Sequence, residues 1–385
     1  MTNPPCEPGV CFVIGAPRSG TTWIGKIFDS HPAVLYLNEP DIALRDDALP
    51  VICKRSESAE YEELTRAYLD RLLANRTLRT SGALPVFQKE FRSRPAHALR
   101  AAIIYGLRLA QVTDLGTGWA DRIPIPDFEN GRGRMVVVKS VSARGRAGIF
   151  SQALPESRTV LVLRNPCGVI ASLLRGIRLG KMPEPTQLDE VLETEEADRY
   201  GLQAASFRSL TLVQKLAWHW AILNEKALRD LAHKPATVIV RYEDAVANPL
   251  KFSRQLLAFV GLPWMAQTAQ FATRSTTYRG PDRYFSVWRN SASRTNGWRN
   301  ELSAEEQYQI AEITAKTLIG RLYAADLLPL ANAPTLRPVG DTARSASQAK
   351  KAPCRRRGMA TAPLIPIGSL NSLIGAIGGL GLGDW

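Results

Sequence analysis

The sequence predicts an α/β fold: a mostly parallel central sheet flanked by helices, with a P-loop-like nucleotide-binding core and helical insertions. Short apolar, β-branched runs recur along the chain, and most end at a glycine or a polar residue. Helix-compatible segments separate them, as the crossovers of a parallel sheet require. The first run leads into a glycine-containing loop and then into residues at helical spacing. Sheets of this kind bind ligands beyond the carboxyl ends of their strands, so function is sought at the strand exits.

Val10 to Gly15 (VCFVIG) reads as a buried strand. After the loop, Trp23, Ile24, Ile27 and Phe28 keep helical spacing up to the Asp-Ser-His-Pro break at 29–32. Val34 to Leu37 makes a second short strand leading into Asn38-Glu39-Pro40. Met135 to Val138, ending at Lys139, Thr159 to Leu163, ending at Arg164, and Thr237 to Val240 complete the set. Two charged, helix-compatible insertions, about 41–134 and 175–212, exceed what the sheet requires. They are a natural source of an acceptor pocket or lid, or else simple covering helices. The domain therefore spans 8–330, and 331–385 reads as a basic tail, disordered to about 358 and then apolar and Gly-rich. In its last part Leu370, Leu373, Ile374 and Ile377 have helical spacing.

At 385 residues and 45% apolar composition the chain can bury a large core without staples. No apolar run reaches the ~20 residues of a membrane span, which excludes a polytopic membrane protein. The 5 cysteines form no CxxC pair and there are only 4 histidines, which argues against structural zinc. The opening MTNPPCEPGV has no basic region followed by an apolar core, so a reducing cytoplasm is the expected location. The net charge of +13 calls for an anionic partner. Nucleic acid is a poor one: the basic residues are scattered and no RNP, zinc-finger or helix-turn-helix pattern is present. Lys350-Lys351 and Arg355-Arg356-Arg357, ahead of the apolar end of the tail, admit peripheral contact with an anionic membrane, against a disordered or docked tail.

Gly15-Ala-Pro-Arg-Ser-Gly-Thr-Thr22 follows a strand and opens a helix, so backbone N–H groups and the positive helix end converge in an anion cradle. Its glycines have the spacing of a nucleotide-kinase P-loop. Position 21 would then be lysine; here it is threonine, and the cation has moved to Arg18, which disfavours a kinase.

PRSGTTW closely resembles the phosphosulfate loop of sulfotransferases that use 3′-phosphoadenosine 5′-phosphosulfate (PAPS), whose usual form is PKSGTTW. Three further segments follow in the family's order. Arg164-Asn-Pro with Ser172 resembles the signature in which an arginine and a serine bind the nucleotide's 3′-phosphate. Arg241-Tyr-Glu-Asp is similar to the family's YED segment, and Arg294-Thr-Asn-Gly297-Trp to its late cofactor-closing loop. The resemblance covers roughly residues 10–325.

It implies a PAPS-dependent enzyme that needs no metal and acts on a small-molecule, glycan or lipid acceptor. Arg18, Ser19, Gly20, Thr21 and Thr22 would hold the phosphosulfate; Arg164 and Ser172, with Arg294 and Gly297, the 3′-phosphate side. Trp23 would stack on the adenine or, alternatively, open the helix as a core residue. Arg18 and Lys139 are candidates to stabilise the departing phosphate oxygen.

The acceptor must lose a proton as it attacks. Cytosolic relatives place a histidine two residues after the strand-ending lysine, where this chain has Val141. Glu39 resembles the glutamate base of carbohydrate-acting and other bacterial branches; its alternative is a structural ion pair with Arg18 or Lys139. A small-substrate kinase and a non-catalytic nucleotide- or membrane-binding protein are the competing functions. His31 is expected to end a helix, His219 to pack, and His97 and His233 to lie on the surface.

Overall fold

The computed structural model describes residues 9–112, 119–129, 134–278, 280, 284–288, 295–324, 326–327 and 364–366. Five strands are parallel: β1 (Gly9–Gly15), β2 (Val34–Asn38), β3 (Met135–Ser140), β4 (Arg158–Leu163) and β5 (Thr237–Arg241). A sixth, β6 (Ile365–Pro366), pairs antiparallel with β5, and the order across the sheet is β2-β3-β1-β4-β5-β6. The strands expected from the sequence are all present. β6 is not among them, because two residues carry no periodicity to read.

Alternation along each strand feeds two cores, one per face. Phe12, Ile14, Val138, Leu161 and Leu163 point to one side, Cys11, Val13, Val137, Val160 and Val162 to the other. Strands buried on both faces need apolar residues at every position, which is why they read as unbroken runs. The second face is covered by α1 (Thr21–Asp29) and the helices Pro249–Phe259 and Ala266–Thr276. The first face is covered by α2 (Glu62–Ala74), the helices Ala147–Ala153 and Ala304–Ala315, α4 (Pro166–Arg178) and α5 (Leu212–Leu231). Between α2 and β3 lies α3 (Arg94–Val112), so the first insertion is largely helical.

Local chemistry sets the helix ends. Thr211 and Gln214 exchange side-chain-to-backbone bonds of 3.2 and 3.0 Å, a capping box that starts α5. Asn165 Oδ1 accepts from the N–H groups of Cys167 and Gly168, and Pro166 opens α4. α1 ends at Asp29 with Ser30 as its cap, and His31 lies in the turn beyond: Nδ1 accepts from Ala33 N–H, the other ring nitrogen pairs with the Pro263 carbonyl, and burial pushes its pKa down to about 4. His219 is packed, with its pKa pushed down to about 3 by burial, and His233 is exposed. His97 departs from expectation: it is half-buried, because α3 lays it against the neighbouring cations.

Among the described residues no helix is long and apolar enough to cross a membrane. The expected disordered tail and its helically spaced leucines lie outside the described residues, except for the stretch that contains β6. Phe12 is 1% exposed with its ring 5.6 Å from that of Phe150. Phe12→Ala is expected to cost about 3–5 kcal/mol, read as a lower urea midpoint at unchanged slope.

Candidate active site

The carboxyl ends of β1 to β4 converge on one region because the strands are parallel and in register. At the first of these ends the backbone is packed too tightly for side chains. A Cβ on Gly15 would lie 2.5 Å from the Val162 carbonyl oxygen; one on Gly20 would lie 2.3 Å from the Tyr242 ring, and Gly20 has φ +95°. Ser19 is fully buried, its hydroxyl donating to the Ala16 carbonyl at 2.7 Å and its N–H to the same oxygen at 3.1 Å. No side chain caps α1, and helix geometry gives the first-turn N–H groups of Thr21, Thr22 and Trp23 no partner within the helix. Thr21 is buried and Thr22 half-buried.

Trp23 is 7% exposed. Its indole N–H donates to Ser275 Oγ at 2.9 Å, and its ring stacks 5.9 Å from Phe252 and meets Tyr242 edge-on. These are the contacts of the core alternative.

Arg18 adopts φ +70°, a strained conformation for a residue with a side chain. Its side chain reaches the β4 exit. Its Nε donates to Ser172 Oγ at 3.0 Å, Nη2 to the Tyr284 carbonyl at 2.9 Å, and the guanidinium sits 4.1 Å from the Tyr284 ring centroid. Arg164 in turn donates to the Arg18 carbonyl at 2.8 Å and lies 4.8 Å from the centroid of the Tyr242 ring. Behind it, the Asn165 N–H donates to Glu243 Oε1 at 2.9 Å, and burial holds that carboxyl above its usual range. So the YED glutamate braces the turn that carries Arg164.

Arg164, Gly168, Ser172, Arg175, Tyr242, Trp298 and Glu301 line one pocket. Three of these, Gly168, Arg175 and Glu301, escaped the sequence reading. Arg175 lies one helical turn beyond Ser172 and is held by Glu301 at 2.5 and 2.6 Å; its spacing was the available signal. Trp298 follows Gly297, and its indole Nε1 is buried with no hydrogen-bond partner. Gly297 opens the turn Trp298–Glu301, while Arg294 lies outside the described residues.

The β2 and β3 exits form a second cluster. The Glu39 carboxylate pairs with Lys139 Nζ, and the Glu39 N–H donates to the Lys139 carbonyl at 2.8 Å. Lys139 is 3% exposed at its side chain and Glu39 21%. Glu39 has φ +48°, so the structure maintains a cost of about 1 kcal/mol or more at this position. Asp41, unmarked in the sequence, is buried and accepts from Ser140 Oγ at 2.6 Å, from Ser142 Oγ, and from Arg146 at 3.4 Å. It thereby fixes the turn after Lys139. Its other oxygen, Oδ1, has no partner.

A model described as "Sulfotransferase family" matches residues 10–266. The chain belongs to the sulfotransferase family. Among curated relatives of this sulfotransferase, carbohydrate sulfotransferase 2 of Mus musculus is 34% identical over 337 residues, covering 78% of this chain and 62% of the relative. Carbohydrate sulfotransferase 1 of Mus musculus is 20% identical, covering 77% and 78%. Solved structures with similarity include the sulfotransferase domain from the curacin biosynthetic pathway, at 16% identity and TM-score 0.35, covering 71% of this chain and 79% of that one. Mouse sulfotransferase SULT7A1 complexed with PAP gives 11% identity and TM-score 0.37, covering 82% and 88%. Scores that low do not establish a shared fold, and the family assignment stands on the sequence match.

Gly20→Ala puts a methyl group into the Tyr242 ring at a left-handed backbone position. It is expected to destabilise this sulfotransferase by at least about 1 kcal/mol and to lower its melting temperature by at least about 1–2 °C, measured by differential scanning calorimetry.

Proposed function

We propose that this sulfotransferase moves a sulfuryl group from PAPS to an acceptor hydroxyl. The observation that carries the reading is the link between the two anion points. Arg18 reaches from the phosphate loop to Ser172, and Arg164 reaches back to the backbone of Arg18. A ligand with a phosphosulfate and a separate 3′-phosphate fits such a pair. The pocket beside Ser172 suits an oxyanion: it holds Arg164 and Arg175 together with the unpartnered Trp298 N–H.

Bound there, PAPS would supply an electron-poor sulfuryl group and a phosphate as leaving group, in a loose in-line transfer. Gly20, Thr21 and Thr22 would direct their N–H groups at the phosphosulfate, with the Ser19 turn setting the loop's shape. Lys139 would stabilise the charge growing on the departing oxygen. Arg18, pointing to Ser172, joins Arg164 on the 3′-phosphate side rather than Lys139. Glu39, already held by Lys139, would take the acceptor's proton, and its left-handed backbone is in keeping with that role. Among acceptor classes, the two relatives named as carbohydrate sulfotransferases favour a carbohydrate over a lipid or secondary metabolite.

Isothermal titration is expected to show 3′-phosphoadenosine 5′-phosphate binding at least about tenfold tighter than ADP or adenosine 5′-phosphosulfate, with the advantage lost in Arg164→Met. Equal affinities would dismiss the 3′-phosphate assignment, and preference for ATP with magnesium would favour a kinase.

Glu39→Gln is expected to lower turnover by about 10²–10⁴-fold with nucleotide affinity unchanged. Activity near the wild-type level would remove Glu39 as the base. The acceptor itself is sought by mass spectrometry of extracts with and without the gene, as a sulfated mass difference. Nucleotide binding without transfer to any acceptor would favour a non-catalytic role.

A further inference from the structure

A second pocket lies between α1, β2 and residues 81–100, at the opposite end of α1 from the phosphate loop. Its wall includes Asp29, Tyr36, Phe87, Lys89, Arg92 and Arg100. Asp29 ends α1 and Thr21 begins it, which puts the two regions roughly 12 Å apart at the helical rise. The pocket is therefore separate from the site that binds at the strand exits.

The charges around it do not balance. Lys26, Lys89, Arg92 and Arg100 have side chains no more than 5% exposed, and Arg76 stands behind them. Among the described residues their carboxylate partners are two. Asp29 is shared by Lys26 and Lys89, the latter at 2.9 Å; Asp127 is shared by Arg76 at 2.5 Å and Arg92 at 2.7 Å. Arg134, beside them, has its own partner in Glu129. Backbone carbonyls take up several remaining donors: Ala83 and Pro85 accept from Lys26, His31 from Lys89, and Ser81 from Arg100. Carbonyls satisfy N–H groups but do not cancel charge. Arg100 Nε is left buried, without a hydrogen bond, 4.0 Å from Asp127.

The excess is felt locally. Burial, with the charges of Lys26 and Arg92 working against the pull of Asp29, pushes Lys89 down to about 8. Burial and Arg92 push Arg100 down to about 10, and burial with Arg92, Arg100 and Lys89 lowers His97. Buried cations without anions are costly, and a bound anion relieves that cost.

We propose that this pocket is a second, oxyanion-binding site, which takes a carboxylate, sulfate or phosphate group on Lys89, Arg92 and the free Nε–H of Arg100. The proposal does not depend on the identity of the sulfuryl donor.

The test is equilibrium dialysis of the full chain with radiolabelled inorganic sulfate, first with saturating 3′-phosphoadenosine 5′-phosphate to occupy the loop. One sulfate per chain is expected to remain bound; none would overturn the proposal. If the nucleotide fails to bind, that outcome counts against the donor reading alone, and the pocket is then read from Arg100→Gln. This variant is expected to weaken the pocket's sulfate affinity by about tenfold or more, and unchanged affinity would overturn the assignment. Should the variant not fold, the wild type still decides by pH. Its affinity is expected to fall several-fold from pH 7 to 9 as Lys89, facing Asp29, Lys26 and Arg92, loses its proton, and to do so equally in Glu129→Gln, which removes the nearby carboxyl pushed up to about 7; a flat profile would overturn the role of Lys89. Displacement of the label by a sulfated disaccharide identifies a group carried on a saccharide, and displacement by free phosphate alone identifies a free ion as the ligand.

Discussion

The place where β1 passes into α1 has no room for a side chain at Gly15 or Gly20, and the rest of the site depends on that closeness. Because Gly20 touches the Tyr242 ring, the phosphate loop is seated on the β5 exit. The same ring carries Arg164 on its face. Tyr242 is followed by Glu243, whose carboxylate holds the turn before α4. A single tight contact thus locates the loop, Arg164 and the helix bearing Ser172 relative to one another. Preorganised donors of this kind need little rearrangement when charge arrives.

The fold was legible because strands buried on both faces cannot hide their composition: the centres of β1, β3 and β4 are runs of valine, isoleucine, leucine, phenylalanine and cysteine. The loop was legible because its glycines stand where the backbone leaves no room for a side chain. Arg18 shows where such reading stops. Its position in the loop supplies a cation but not a direction, and the contact it makes with Ser172 lies far away in sequence. Asp41 and Arg175 stayed hidden for a related reason. Their importance lies in contacts with residues such as Ser140 and Glu301, which are distant in sequence and brought together by the fold.

The net charge of +13 also takes on structure. A share of the basic residues is spent inside the protein, around Asp29 and Asp127, and not on its surface. Another share, Arg18, Arg164 and Arg175, lies about one pocket at the β4 exit. Buried cations of this kind say more about ligand charge than a total does, since water cannot screen them.

The sheet order has a consequence for how the chain acquires its shape. β1 lies between β3 and β4, with Gly9 opposite Met135 and Cys11 opposite Arg158. The first strand to be synthesised must therefore wait for more than about a hundred further residues before either edge finds a partner. At ordinary rates of translation that is roughly 6–25 s, during which VCFVIG is an apolar strand with both edges open. The contacts that seat the β1–α1 loop are thus strongly non-local, and its assembly is bound to the late, slow part of folding.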